Sequence, residues 1–187
     1  GFLFFSHVLS AQPTYYVDDS PMQKECECIM FGKLKNLFSQ PGITIASPVS
    51  GTVVPLTEVP DPTFAQGILG PGAAVQPSEG RIVAPANGTV DMMFDTGHAV
   101  SMTTSEGAEL LIHVGLKGQH YTAKCKSGDT VRKGDTLIEF DIDAIRKAGY
   151  EVVTPVIVCN PDAFASVKTE GAGSVQAGDD LLMLEKK

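Results

Sequence analysis

The chain has 187 residues, of which 43% are apolar and 19% charged, figures that suit a soluble globular domain with an appendage. A formal net charge of -8 sets the surface against a phosphate backbone and argues against nucleic acid as a partner, whereas a basic protein or a small substrate fits. Gly (19) and Pro (12) are plentiful and long helical patterns are scarce, which predicts an all-β chain of short strands and tight turns.

Residues 1–29 carry no clear period and read as an extension, disordered or not native to the domain. Their apolar start, Gly1 to Ala11, lacks a basic leading segment and is too short to span a bilayer. Residues 30–39 form an amphipathic segment, with Met30, Leu34, Leu37 and Phe38 on one helical face and Lys33 and Lys35 turned away. Such a segment suits weak contact with an anionic membrane surface or folding back onto the domain. The main domain is expected over 43–187.

From Ile43 the sequence reads as strands and turns. Ser47-Pro48-Val49-Ser50-Gly51-Thr52-Val53 is echoed by Ala84-Pro85-Ala86-Asn87-Gly88-Thr89-Val90, with Pro opening each element and Gly read as a turn residue. Gly128-Asp129-Thr130-Val131 and Gly134-Asp135-Thr136-Leu137 are echoed by Gly173-Ser174-Val175 and Gly178-Asp179-Asp180-Leu181. In each set a lone Val dips into the core between turns and Gly-Asp launches an apolar strand. Asp141 to Lys147 is the best helix candidate, capped by Asp141 or Asp143 and stopped by Gly149. Thr154 to Cys159 reads as a strand, followed by a turn at Asn160-Pro161-Asp162.

Cysteine usage is sparse: Cys26 and Cys28 as a C-x-C, then isolated Cys125 and Cys159. The pattern suits buried free thiols in a reducing compartment, hence a cytoplasmic protein, and not a zinc site built on cysteine.

The chemistry concentrates in two stretches, Phe94 to Val100 and Glu109 to Leu116, both read as strands of one hairpin. A turn centred between Ser105 and Glu106 sets His98 opposite His113 on one face. A neutral imidazole is a good nucleophile toward phosphorus near neutral pH, and a second one stabilises the phosphoryl oxygens in flight. Thr96, two positions before His98, is placed to orient that ring, and the backbone at Gly115 to orient His113. The residues alone indicate a site without choosing the reaction.

Those two stretches resemble the active-site strands of glucose-type enzyme IIA of the bacterial phosphoenolpyruvate-dependent sugar phosphotransferase system. Ile45 to Gly51, Val59 to Ala65, Gly128 to Asp135, Thr154 to Ile157 and Gly173 to Val175 fit the same family. The resemblance runs in order over nearly all of 43–186. It implies an antiparallel β-sandwich of the duplicated hybrid motif type with short helical segments. It further implies that His113 takes a phosphoryl group on Nε2 from the histidine-containing phosphocarrier protein and passes it to a cysteine of enzyme IIB. His98 would stabilise the transferring group and Thr96 would orient His98. Phe64, Leu69, Phe94, Leu111 and Asp61 would form the partner-binding rim, with regulatory proteins as further partners. No cofactor or intrinsic metal is implied, although a zinc shared between His98, His113 and a partner carboxylate would fit the donor types. One departure is the short connection from Leu116 to His120, where family members usually carry several more residues.

Two other classes compete. Zinc-dependent hydrolases share the general hybrid-motif architecture, but their site needs an H-x-H and an Asp, and no H-x-H occurs in this chain. Lipoyl or biotinyl carriers share the Gly-Asp-x-Val turns, but Lys117 does not sit in a carrier setting.

Overall fold

A computed structural model describes residues 42–115 and 119–187. The expected extension, the amphipathic segment, Cys26, Cys28 and Lys117 lie outside the described residues. The described residues hold fourteen strands: β1 (Ile43–Ala46), β2 (Gly51–Val54), β3 (Gly72–Pro77), β4 (Arg81–Val83), β5 (Gly88–Met93), β6 (Ala99–Thr104), β7 (Glu109–His113), β8 (Tyr121–Ala123), β9 (Thr130–Val131), β10 (Thr136–Phe140), β11 (Thr154–Val158), β12 (Phe164–Thr169), β13 (Ser174–Val175) and β14 (Asp180–Lys186). Among the described residues two short α-helices accompany them, α1 (Pro62–Ala65) and α2 (Ile142–Lys147), with 3-10 turns at Leu56–Glu58 and Pro161–Ala163. The expected all-β class is the observed one.

The strands form an eight-stranded sheet, β13-β2-β3-β11-β7-β6-β5-β9, and two three-stranded sheets, β1-β14-β12 and β4-β10-β8. Their pairings are antiparallel. One face of the large sheet gives Val75, Val100, Met102, Leu110, Ile112, Val156 and Val158 to the main core, where they meet Ile45, Ile138, Leu182 and Leu184 of the small sheets. On its other face Ala74 and Ile157 join Val59, Phe64 and Val153 in a second, smaller cluster. Strand β11 is therefore buried on both faces, which explains why Thr154 to Val158 reads as a continuous apolar run.

The sequence echoes have a structural meaning. Gly51 and Thr52 of β2 pair with Val175 and Ser174 of β13, while Gly88 and Thr89 of β5 pair with Val131 and Thr130 of β9. The two copies thus close opposite edges of the large sheet. Val131 and Val175 are buried as expected, and Asp129, Asp135 and Asp179 each accept a backbone N–H from three residues upstream, at 3.0, 2.7 and 2.8 Å. Gly51 and Gly88 differ from expectation. Both open strands rather than turns, and a Cβ on either would collide with the backbone carbonyl of the neighbouring strand, at Gln76 and Thr103. Close approach is what excludes a side chain there.

Helix α2 matches its prediction. Asp141 is the cap, its side chain accepting from the Ala144 N–H at 2.9 Å. Cys125 and Cys159 are free thiols, but Cys159 is exposed rather than buried, because it follows the last residue of β11. Among the described residues no helix is long and apolar enough to cross a membrane.

Candidate functional site

Strands β6 and β7 form the expected hairpin with a shifted register. Its loop is Ser105-Glu106-Gly107, three residues with Gly107 at φ 86°, and Thr104 donates its N–H to the Ala108 carbonyl at 2.8 Å. An odd loop centres on Glu106, so Ala99 and not His98 lies opposite His113. His98 also lies outside β6, in the turn that follows Phe94, and its carbonyl accepts from Val114 N at 2.8 Å. A one-residue slip between regular strands would send the two histidines to opposite faces. The turn, which holds Gly97 at φ 70°, releases His98 from the pleat and brings its ring back.

The rings therefore do meet. Their centroids are 4.7 Å apart and their planes stand at 86°, an edge-to-face arrangement. Thr96 Oγ1 is in hydrogen-bonding contact with His98 Nδ1, within the turn and not along a strand as expected. Phe64 packs against His113 from α1, at 5.0 Å between centroids, and Phe94 flanks His98 at 6.1 Å. A cavity of about 240 Å³ opens beside His113, lined by Val59, Asp61, Phe64, Gly115, Tyr150 and Glu151 among others.

Burial depresses the basicity of both imidazoles. His113 is lowered to about 4, first by loss of water, then by the neighbouring His98, with the Asp61 carboxylate opposing. Burial also lowers His98. Both rings are thus neutral at physiological pH, and a neutral ring keeps the lone pair that a nucleophile needs. The shift has a stability consequence. An unfolded chain protonates this histidine near 6.5, the folded chain only near 4. Between those values the unfolded state binds more protons, so stability falls as pH falls from 6.5 toward 4 and is unaffected above. We expect the parent to lose on the order of 1 kcal/mol more than His113→Gln between pH 7 and pH 5, measured as the difference in urea midpoints.

The remaining expected residues take distinct places. Gly115 bends the chain after β7 at φ 56°, and its N–H reaches the Val153 carbonyl at 3.4 Å. No hydrogen bond from its backbone to the His113 ring is present among the described residues. A Cβ there would collide with the Glu151 carbonyl oxygen. Gly115→Ala is accordingly expected to cost roughly 2 kcal/mol or more, from left-handed strain and collision together, in a denaturant titration. Asp61 caps α1, accepting from Thr63 N at 2.8 Å, and these hydrogen bonds hold its carboxyl below the usual range. Phe64, at 5% exposure, is a floor rather than a rim. Leu111 packs half-buried against the second cluster. Leu69 and Phe94 are exposed, the latter at 38%.

Sequence reading missed three exposed apolar side chains, Ile68, Met92 and Tyr150, and also Tyr121, whose ring lies 6.1 Å from that of His98. No group of three or more His, Cys, Asp and Glu side chains poised to hold a metal exists among the described residues. The zinc-hydrolase alternative therefore finds no ligand set to support it.

Comparison with known proteins places this geometry. Residues 43–164 match the family described as phosphoenolpyruvate-dependent sugar phosphotransferase system, EIIA 1. The glucose-specific EIIA component of Halalkalibacterium halodurans is 43% identical over 147 residues, 76% of this chain and 85% of that protein. The β-glucoside-specific EIIBCA component of Bacillus subtilis is 45% identical over 145 residues, 75% of this chain but 24% of that protein. The chain thus spans about a quarter of the length of such multidomain relatives. Glucose permease IIA from Mycoplasma capricolum has a similar structure, with a TM-score of 0.69 at 28% identity, covering 77% of this chain and 96% of that one.

Proposed function

The chain belongs to the EIIA 1 family of the phosphoenolpyruvate-dependent sugar phosphotransferase system, and from that premise we propose that His113 is its phosphoryl acceptor. The observation that carries the reading is the pair of desolvated imidazoles in edge-to-face contact beside an open cavity. The donor is a histidine-containing phosphocarrier protein and the acceptor a cysteine of a sugar-specific enzyme IIB.

In the first transfer the His113 lone pair attacks phosphorus while the nitrogen–phosphorus bond of the donor breaks, its electron pair returning to the donor imidazole. The donor phosphoimidazole, protonated on its second nitrogen, leaves as neutral imidazole while His113 keeps its own ring proton, so no net proton changes hands. In the second, a thiolate attacks, the sulfur–phosphorus bond forms and the electron pair of the broken bond returns to His113. With Thr96 donating to His98 Nδ1 in the contact between them, the proton of that neutral ring would sit on Nε2 as a donor to phosphoryl oxygens. Exposed Leu69, Phe94 and Ile68 with Asp61 offer a mostly apolar docking surface, suited to partners that bind in turn and exclude water from a labile phosphoimidazole.

Incubation with phosphoenolpyruvate, enzyme I and the phosphocarrier protein tests the reading. An acid-labile, base-stable phosphate mapping to the His113 peptide is the expected result. A chain that takes up no label under these conditions overturns it.

A further inference from the structure

Tyr121 is a side chain beside the histidines whose chemistry the transfer described above leaves unused. It comes from β8, which pairs with β10 in a different sheet from β6 and β7, so the fold carries it to the site from elsewhere. Its ring stacks on Phe140 at 6.2 Å and tilts toward His98 at 6.1 Å. Its Cβ backs the turn that carries His98, 3.5 Å from where a Cβ on Gly97 would stand. At the other end the hydroxyl sits against the bend after His113, 3.0 Å from where a Cβ on Gly115 would stand. One residue therefore touches both backbone segments that fix the two imidazoles.

The hydroxyl is buried and has no hydrogen-bond partner among the described residues. Leaving such a group unmade costs about 1–3 kcal/mol, and phenylalanine would supply the same ring without that cost. Burial also pushes the phenol up in pKa, so it stays protonated and is a donor. An aromatic wedge alone does not require the oxygen.

We propose that Tyr121 is a positioning residue for phosphoryl transfer, its ring setting the spacing of the His98 turn and the Gly115 bend, and its O–H taking up a hydrogen bond only when His113 is phosphorylated and the two segments adjust. The inference rests on the assignment of His113 as acceptor. Among the described residues the donor is unmade in the unphosphorylated state, and a bond gained on phosphorylation would favour the phosphorylated form.

Tyr121→Phe in the full chain separates this from a packing role. The variant is expected to melt a few degrees higher than the parent when unphosphorylated, since the orphaned group is gone. Phosphorylation should reverse the order or erase the gain. At equilibrium with the phosphocarrier protein the phosphorylated fraction should fall, with the transfer constant reduced roughly 5- to 130-fold, the range that the hydroxyl cost corresponds to at physiological temperature. The ring-nitrogen NMR shifts of His98 should differ between parent and variant in the phosphorylated form only. Equal melting shifts in both forms with an unchanged transfer constant overturn the inference while the labelled parent leaves the acceptor assignment standing. A parent that takes no label overturns both.

Discussion

Replacing His113 by Gln removes phosphoryl acceptance, with label from the phosphocarrier protein falling at least about a thousandfold, to background. The reason is electronic rather than steric. A glutamine amide occupies a volume near that of imidazole, but its nitrogen lone pair is delocalised into the carbonyl and does not attack phosphorus. Among the described residues no other nucleophile stands in the right place: His98 sits at a ring distance of 4.7 Å with its Nδ1 engaged by Thr96. The fold tolerates the change because His113 ends β7 and lies outside the main core. Its ring contacts Phe64 and His98. Thermal unfolding measured alongside the labelling should therefore move by only a few degrees. Label on the variant equal to that on the parent is the outcome that sinks the assignment.

The legible part of this molecule was its local chemistry. Gly-Asp turns at 128–129, 134–135 and 178–179, the Asp141 cap and the apolar run at Thr154 follow from residue-by-residue preferences, and the structure has them. The histidine pair is also legible, but its register is not. Whether a hairpin loop holds two, three or four residues depends on where the left-handed glycine falls, and Ser105-Glu106-Gly107 is compatible with more than one answer. The loop took three, Ala99 moved opposite His113, and the turn at Asp95 to His98 restored the contact. Long-range features stayed hidden. Nothing near Tyr121 announces that β8 will pair with β10 and deliver a phenol between the His98 turn and the Gly115 bend. The same holds for Gly51 and Gly88, which look like turn glycines until the neighbouring strands are laid against them. Phe64 reads as a rim residue in sequence, yet the short helix α1 turns it inward onto Val59, Ala74 and Ile157.

His98→Gln is expected to split the two halves of the reaction. Acceptance is read as an end point, and the transfer potential of the donor phosphohistidine drives it even when the step is slowed, so His113 in this variant still fills with phosphate. Delivery to enzyme IIB is read as a rate, and there the second ring matters. On the proposed assignment, charge spreads over the phosphoryl oxygens as the bond to His113 breaks, and a proton on His98 Nε2, the tautomer that donation from Thr96 to Nδ1 would select, meets it. Losing one such preorganised donor costs typically 10²- to 10³-fold. A glutamine N–H on a freely rotating side chain recovers little of this, because orientation and not mere polarity is what the fixed imidazole supplies. Thr96→Ala should show a smaller loss in the same assay, since it frees the ring without removing it. Rapid-quench measurement of phosphate leaving pre-labelled protein separates the outcomes. Delivery by His98→Gln at the parental rate would mean that the edge-to-face contact between the two rings, 86° between planes, is packing and nothing more.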